Sequence, residues 1–83
     1  MYKIKKSVIW KIVDDEVVIL SIDTDDYFCG NDFATEIWKM IDKKYPEEKI
    51  IKAACDKYDA PAAKITKDVK AFIKSMCKAG LIE

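Results

Sequence analysis

The side chains able to do acid–base or nucleophilic chemistry in this 83-residue chain are few and poorly matched to one another. Carboxylates occur as adjacent pairs, Asp14-Asp15, Asp25-Asp26 and Glu47-Glu48. Each pair falls at a turn or a helix start, where chain reversal or the helix dipole already accounts for it. Acid–base catalysis would need such a pair buried and its pKa values tuned. The nucleophile candidates are Ser7, Ser21, Ser75, a few threonines, Cys29, Cys55 and Cys77, yet the chain has no histidine to serve as their base. It has no arginine either, so the commonest metal ligand and the bidentate phosphate clamp are both missing. Gly30 and Gly80, the only glycines, cannot build a phosphate-cradling loop. The cysteines lie far apart without CxxC spacing, which suits reduced thiols in a core better than zinc or disulfides. The residues point away from an enzyme, and no metal or cofactor is expected.

The elements that position these residues belong to a small domain near the lower size limit of a self-sufficient core. About half the residues are apolar, so the chain is built to fold. Fifteen lysines balance fifteen acids, leaving no global basic field of the kind that non-specific nucleic-acid binders carry. The lysine-rich start leads into a strand and not into an apolar signal segment. No apolar run is long enough to span a bilayer. A cytoplasmic protein with no membrane or nucleic-acid partner is the expectation.

Alternation and β-branched residues predict strands over about 7–13 and 16–22, joined through Asp14-Asp15 as a hairpin. A short third strand, about 26–29, suits a sheet edge. After Gly30 the period changes. Asn31 or Asp32 caps a helix over about 32–44, with Phe33, Ile37 and Ile41 on its apolar face and Trp38 and Met40 at the margins. Pro46 with two acids opens a second helix to about 58, and Pro61 opens a third, about 61–79, closed by Gly80 as a glycine C-cap. Three strands followed by three helices make an α+β domain over residues 1–83, a small winged helix-turn-helix-like arrangement with its three-stranded antiparallel sheet first.

The third helix is the most informative. Ile65, Val69, Phe72 and Met76 cluster on one face, and Lys67, Lys70, Lys74 and Lys78 form a stripe opposite. Asp68 and Ser75 flank the apolar arc on one side; Ile73 and Cys77, running into Lys70 and Lys74, flank it on the other. An apolar shelf rimmed by cations beside an edge strand suits an extended peptide with apolar anchors and a carboxylate. Which flank faces the third strand is left open. In the sheet, Val8, Trp10 and Ile12 are expected to meet the helices together with Val18, Leu20 and Ile22. Ile9, Val13, Val17 and Ile19 would then form an uncovered apolar face, of use to a protein partner or a homodimer.

Several segments resemble the PqqD family: Glu-Ile-Trp at 36–38 after Asn31, Pro-Glu-Glu-Lys-Ile-Ile at 46–51, Asp-Lys-Tyr-Asp at 56–59, and Asp68-Val69-x-x-Phe72-Ile73 leading to Gly80-Leu81-Ile82. The resemblance runs from about Val8 to Ile82. It implies a recognition element for ribosomally synthesised, post-translationally modified peptides. Such an adaptor binds the leader of a precursor peptide as an added strand on the third strand, against the third helix. It then presents the peptide to a maturation enzyme, often a radical S-adenosylmethionine enzyme. The candidate binding set is Asp26, Tyr27, Phe28 and Cys29 on the strand, with Thr66, Val69, Lys70, Ile73, Lys74 and Cys77 on the helix. The sequence departs from the family in having Gly30 where leucine is usual and Phe33 where a small or polar residue is usual, with Phe33 expected to refill the space. The rival reading is a winged-helix DNA-binding regulator with the lysine stripe on phosphates; missing arginine and zero net charge count against it. A third is a regulatory or structural subunit that binds no peptide.

Overall fold

The structure is a computed structural model describing residues 2–83. Among these residues, strands β1 (Val8–Val13), β2 (Glu16–Ser21) and β3 (Asp26–Cys29) precede helices α1 (Asp32–Asp42), α2 (Glu47–Lys57) and α3 (Ala62–Lys78). The strands form an antiparallel sheet in the order β1-β2-β3, which makes β1 and β3 its edges. This is the α+β architecture that the order of elements implied.

The first hairpin turns on Asp14 and Asp15, with φ of 51° and 66°. Two successive left-handed residues give the I′ geometry whose twist matches the flanking strands. The two-residue loop also fixes the faces. Because Val13 pairs with Glu16, every even residue of β1 stands opposite an odd residue of β2. Val8, Trp10 and Ile12 therefore share a face with Ser21, Ile19 and Val17, and not with Val18, Leu20 and Ile22 as alternation alone suggested. Val17 and Ile19 are buried at 0% and 2% exposure, while Leu20 and Ile22 are 38% and 58% exposed. The uncovered face is that of Ile9, Val13, Leu20, Ile22 and Tyr27.

Helix α1 starts where Asn31 Oδ1 accepts the Ala34 N–H at 2.9 Å, satisfying a donor that has no partner within the helix. Trp38 lies at the centre of its buried face, wholly enclosed, and not at the margin. The Trp10 ring meets Trp38 edge-on, centroids 6.2 Å apart. The helix stops at Asp42, short of the expected residue 44, because Lys44 is left-handed (φ 62°). The Tyr45 N–H then bonds back to the Met40 carbonyl and the Lys44 N–H to that of Ile41, which is a Schellman closure. Helix α3 ends the same way around Gly80 (φ 77°), with Leu81 N–H on the Met76 carbonyl and Gly80 N–H on that of Cys77.

The core lies between one face of the sheet and the helices. It joins Val17 and Ile19 to Ile37, Trp38 and Ile41 of α1, Ile50 and Ala54 of α2, and Ile65, Val69 and Ile73 of α3. Leu81 and Ile82 return into it, and the residue 82 backbone bridges Ile4. The cysteines do not fill this core as expected: Cys29 and Cys77 are exposed, Cys55 is half-buried, and all are free thiols. Among the described residues no helix is long and apolar enough to cross a membrane.

Candidate functional site

Strand β3 presents a free edge beside an apolar cleft. Pairing places Cys29 opposite Val18, Phe28 opposite Ile19 and Tyr27 opposite Leu20. The Gly30 N–H donates to the Val17 carbonyl at 2.8 Å. In an antiparallel ladder, bonded and non-bonded pairs alternate. Phe28, two residues from Gly30, thus shares its backbone bonds with β2, whereas the N–H and C=O groups of Tyr27 and Cys29 point away along the open edge. Side chains alternate as well. Phe28 turns toward the helices with Ile19, and Asp26 shares that side, while Tyr27 lies on the uncovered face and is 68% exposed.

The cleft, of ≈ 230 Å³, is bounded by Val17, Ile19 and Phe28 from the sheet, Gly30, Asn31 and Ala34 around the start of α1, and Phe72 and Met76 from α3. Its shape depends on the β3–α1 junction. A Cβ on residue 30 would come within 2.7 Å of Val17 Cγ1 and 3.0 Å of Ala34 Cβ, so only glycine lets α1 begin this close to β2. The buried Thr35 hydroxyl then accepts the Val17 N–H at 2.9 Å, compensating an amide that leaves the ladder as β3 ends. Phe33 does not refill the space at residue 30. Val17 and Ala34 occupy it, and Phe33 packs on Tyr58 with centroids 5.4 Å apart.

Helix α1, whose start bounds the cleft, is also held by contacts with residues at the end of α2. The Tyr58 hydroxyl donates to Asp32 Oδ2 at 2.8 Å, and its pKa is pushed up first by burial and then by that carboxylate. The Lys57 ammonium donates to Glu36, which also pairs with Lys39 at 3.2 Å. The hydrogen bond from Lys57, foremost, holds the Glu36 carboxyl below its ordinary range against an opposing desolvation. These contacts pin α1 to the end of α2.

The candidate residues divide. Phe28 and Cys29 line the cleft, and Tyr27 and Asp26 lie on the same strand. Val69 and Ile73 do not reach it; at 0% and 3% exposure they are core beneath α3. Phe72 and Met76, placed on the apolar face of the third helix from sequence but not named in the binding set, form the helical wall. At about 100° per residue, Asp68, Ser75 and Ala79 lie within about 60° of Phe72. Lys70 and Lys74 lie about 160° away, on the back of the helix. Cys77 also belongs to the far side, near enough to Tyr2 to help raise that hydroxyl's pKa after burial and Glu47. Thr66 is half-buried on the same far flank. The apolar arc signalled Phe72 and Met76, but its two flanks look alike in sequence until α2 covers one. Among the described residues no cluster of His, Cys, Asp or Glu could hold a metal.

A solved structure of TbiB1 in complex with the TbiA(beta) leader peptide superimposes with a TM-score of 0.92 at 28% identity, covering 98% of this chain and 94% of that chain. A lasso peptide synthetase B1 complexed with the leader peptide superimposes with a TM-score of 0.90 over 99% of this chain and 96% of that one; at 16% identity it shows the shared fold alone. No curated protein matches the sequence. The family described as Coenzyme PQQ synthesis protein D (PqqD) matches residues 16–82, most of the sheet and all three helices, and the chain belongs to that family.

Proposed function

We propose that the chain binds the leader segment of a ribosomally made precursor peptide as a fourth strand on β3 and presents it to a separate modifying enzyme. The observation that carries this reading is the open Tyr27–Cys29 backbone edge lying directly over an apolar cleft. Strand addition takes affinity from the backbone groups, and a pocket between strand and helix takes a side chain of the guest. The likeness to TbiB1, solved in complex with a leader peptide, supports a leader peptide as the guest. In this reading the binding surface is Asp26–Cys29 with Phe72 and Met76, and the chain does no chemistry on the peptide. The enzyme served is a maturase of the radical S-adenosylmethionine class.

Titration calorimetry against synthetic peptides for every short reading frame found beside the gene tests the proposal. One of them should bind, and its mass should stay unchanged after incubation with this protein alone. Binding by none of them, or a change of mass without the enzyme, overturns it.

A further inference from the structure

The charged side chains flanking the cleft residues Phe28 and Phe72, Asp26 and Asp68, are opposite in sign to the lysine stripe. Lys70 and Lys74 stand on the back of α3, about 160° from Phe72. On the cleft side of the helix the neighbouring charge is Asp68, already paired with Lys64 at 2.8 Å. On β3, Asp26 and Phe28 are two residues apart, so their side chains leave the sheet on the same side, toward the helices. Phe28 lines the cleft; Asp26 is the next side chain along it, exposed and without a hydrogen bond or ion pair among the described residues. Ser21, opposite Asp26, is 2% exposed and neutral, so β2 supplies no counter-charge.

We infer that this chain prefers peptides carrying a lysine or arginine two residues from the apolar side chain that enters the cleft, with Asp26 as the selecting residue. This rests on the strand-addition reading. An added strand whose anchor lies opposite Phe28 has its next cleft-side residue opposite Asp26, because guest side chains also alternate. Directly opposed unlike charges attract and like charges repel. Two residues is therefore the required spacing, on whichever side of the anchor the strand direction places it. The apolar anchor supplies affinity, and the Asp26 carboxylate supplies choice among peptides that share the anchor.

The test is selection from a displayed library of random dodecapeptides on the purified chain, followed by affinity measurement of the enriched sequences. Enriched peptides should pair a large apolar residue with a base two positions away. In the best of them, replacing that base by glutamate should weaken binding about threefold to tenfold. Asp26→Lys should reverse the preference, while Lys70→Glu should leave it alone. Enrichment of apolar anchors with no charge preference, or with an acid at that position, overturns the inference and leaves strand addition standing. Failure of any peptide to enrich sinks both, and circular dichroism of Asp26→Lys verifies that the variant is folded.

Discussion

Gly30 and Val17 are joined twice: the Gly30 N–H bonds the Val17 carbonyl at 2.8 Å, and Val17 Cγ1 fills the place where a Cβ of residue 30 would sit. Backbone pairing and side-chain packing thus meet where β3 hands over to α1. Gly30→Ala forces Val17 or Ala34 to shift and should destabilise by about 1–3 kcal/mol, the usual cost of overpacking. Denaturant titration of Gly30→Ala, Val17→Ala and the double variant should show the double to be more stable than the sum of the singles. Strict additivity would mean that the two side chains do not compete for this space.

Thr35 provides a second test of the same junction. Thr35→Val keeps the shape but strands the buried Val17 N–H, a loss of about 1–3 kcal/mol. Thr35→Ser retains the acceptor and should cost clearly less. Equal losses for the two variants would assign the effect to packing instead of the hydrogen bond.

Proline scanning separates the two sides of β3. At Cys29 the lost N–H faces the open edge, so Cys29→Pro should preserve the circular dichroism spectrum and weaken peptide binding more than Cys29→Ala does. Phe28→Pro removes a donor from the β2 ladder and should lower the melting temperature whether or not peptide is present. A Cys29→Pro variant that binds normally would place the peptide off this edge.

Side-chain truncations distinguish the walls of the cleft from the lysine stripe. Met76→Ala and Phe72→Ala should each weaken peptide binding, by about tenfold if roughly half of a large side chain's burial is lost. Lys70→Glu and Lys74→Glu should be nearly silent, in contrast to the expectation that these lysines rim the peptide shelf. Substantial losses from the two lysine variants would show the guest crossing the other flank of α3.

Acid should loosen the α1–α2 connection. Because the Lys57 hydrogen bond depresses the Glu36 pKa below its unfolded value, the stabilisation is present above the unfolded carboxyl range, about pH 4.3. It is lost as pH falls through the lower folded-state value. The melting-temperature difference between the wild type and Glu36→Gln should therefore be constant from pH 7 to about pH 5 and shrink below pH 4. A difference that is unchanged at pH 3 would remove Glu36 from the acid response.

Local chemistry in the sequence determined the elements and their ends. Asp14-Asp15 turns the hairpin, Asn31 caps α1 and Gly80 closes α3, because each acts through its own backbone and its nearest neighbours. The order of strands and helices followed from period alone. Even the face of β2 was implicit, since a two-residue loop reverses parity between Val13 and Glu16; hydrophobicity concealed it, because both faces of β2 are apolar. What tertiary structure decided was which apolar residues stay open. Phe72, Met76, Val69 and Ile73 share one arc of α3, and only the placement of α2 and the sheet buries Val69 and Ile73 while leaving Phe72 and Met76 at a cleft. The role of Gly30 was equally hidden. Its φ is not left-handed, so no turn signal requires glycine there; the requirement comes from Val17, thirteen residues away, whose methyl group lies against it.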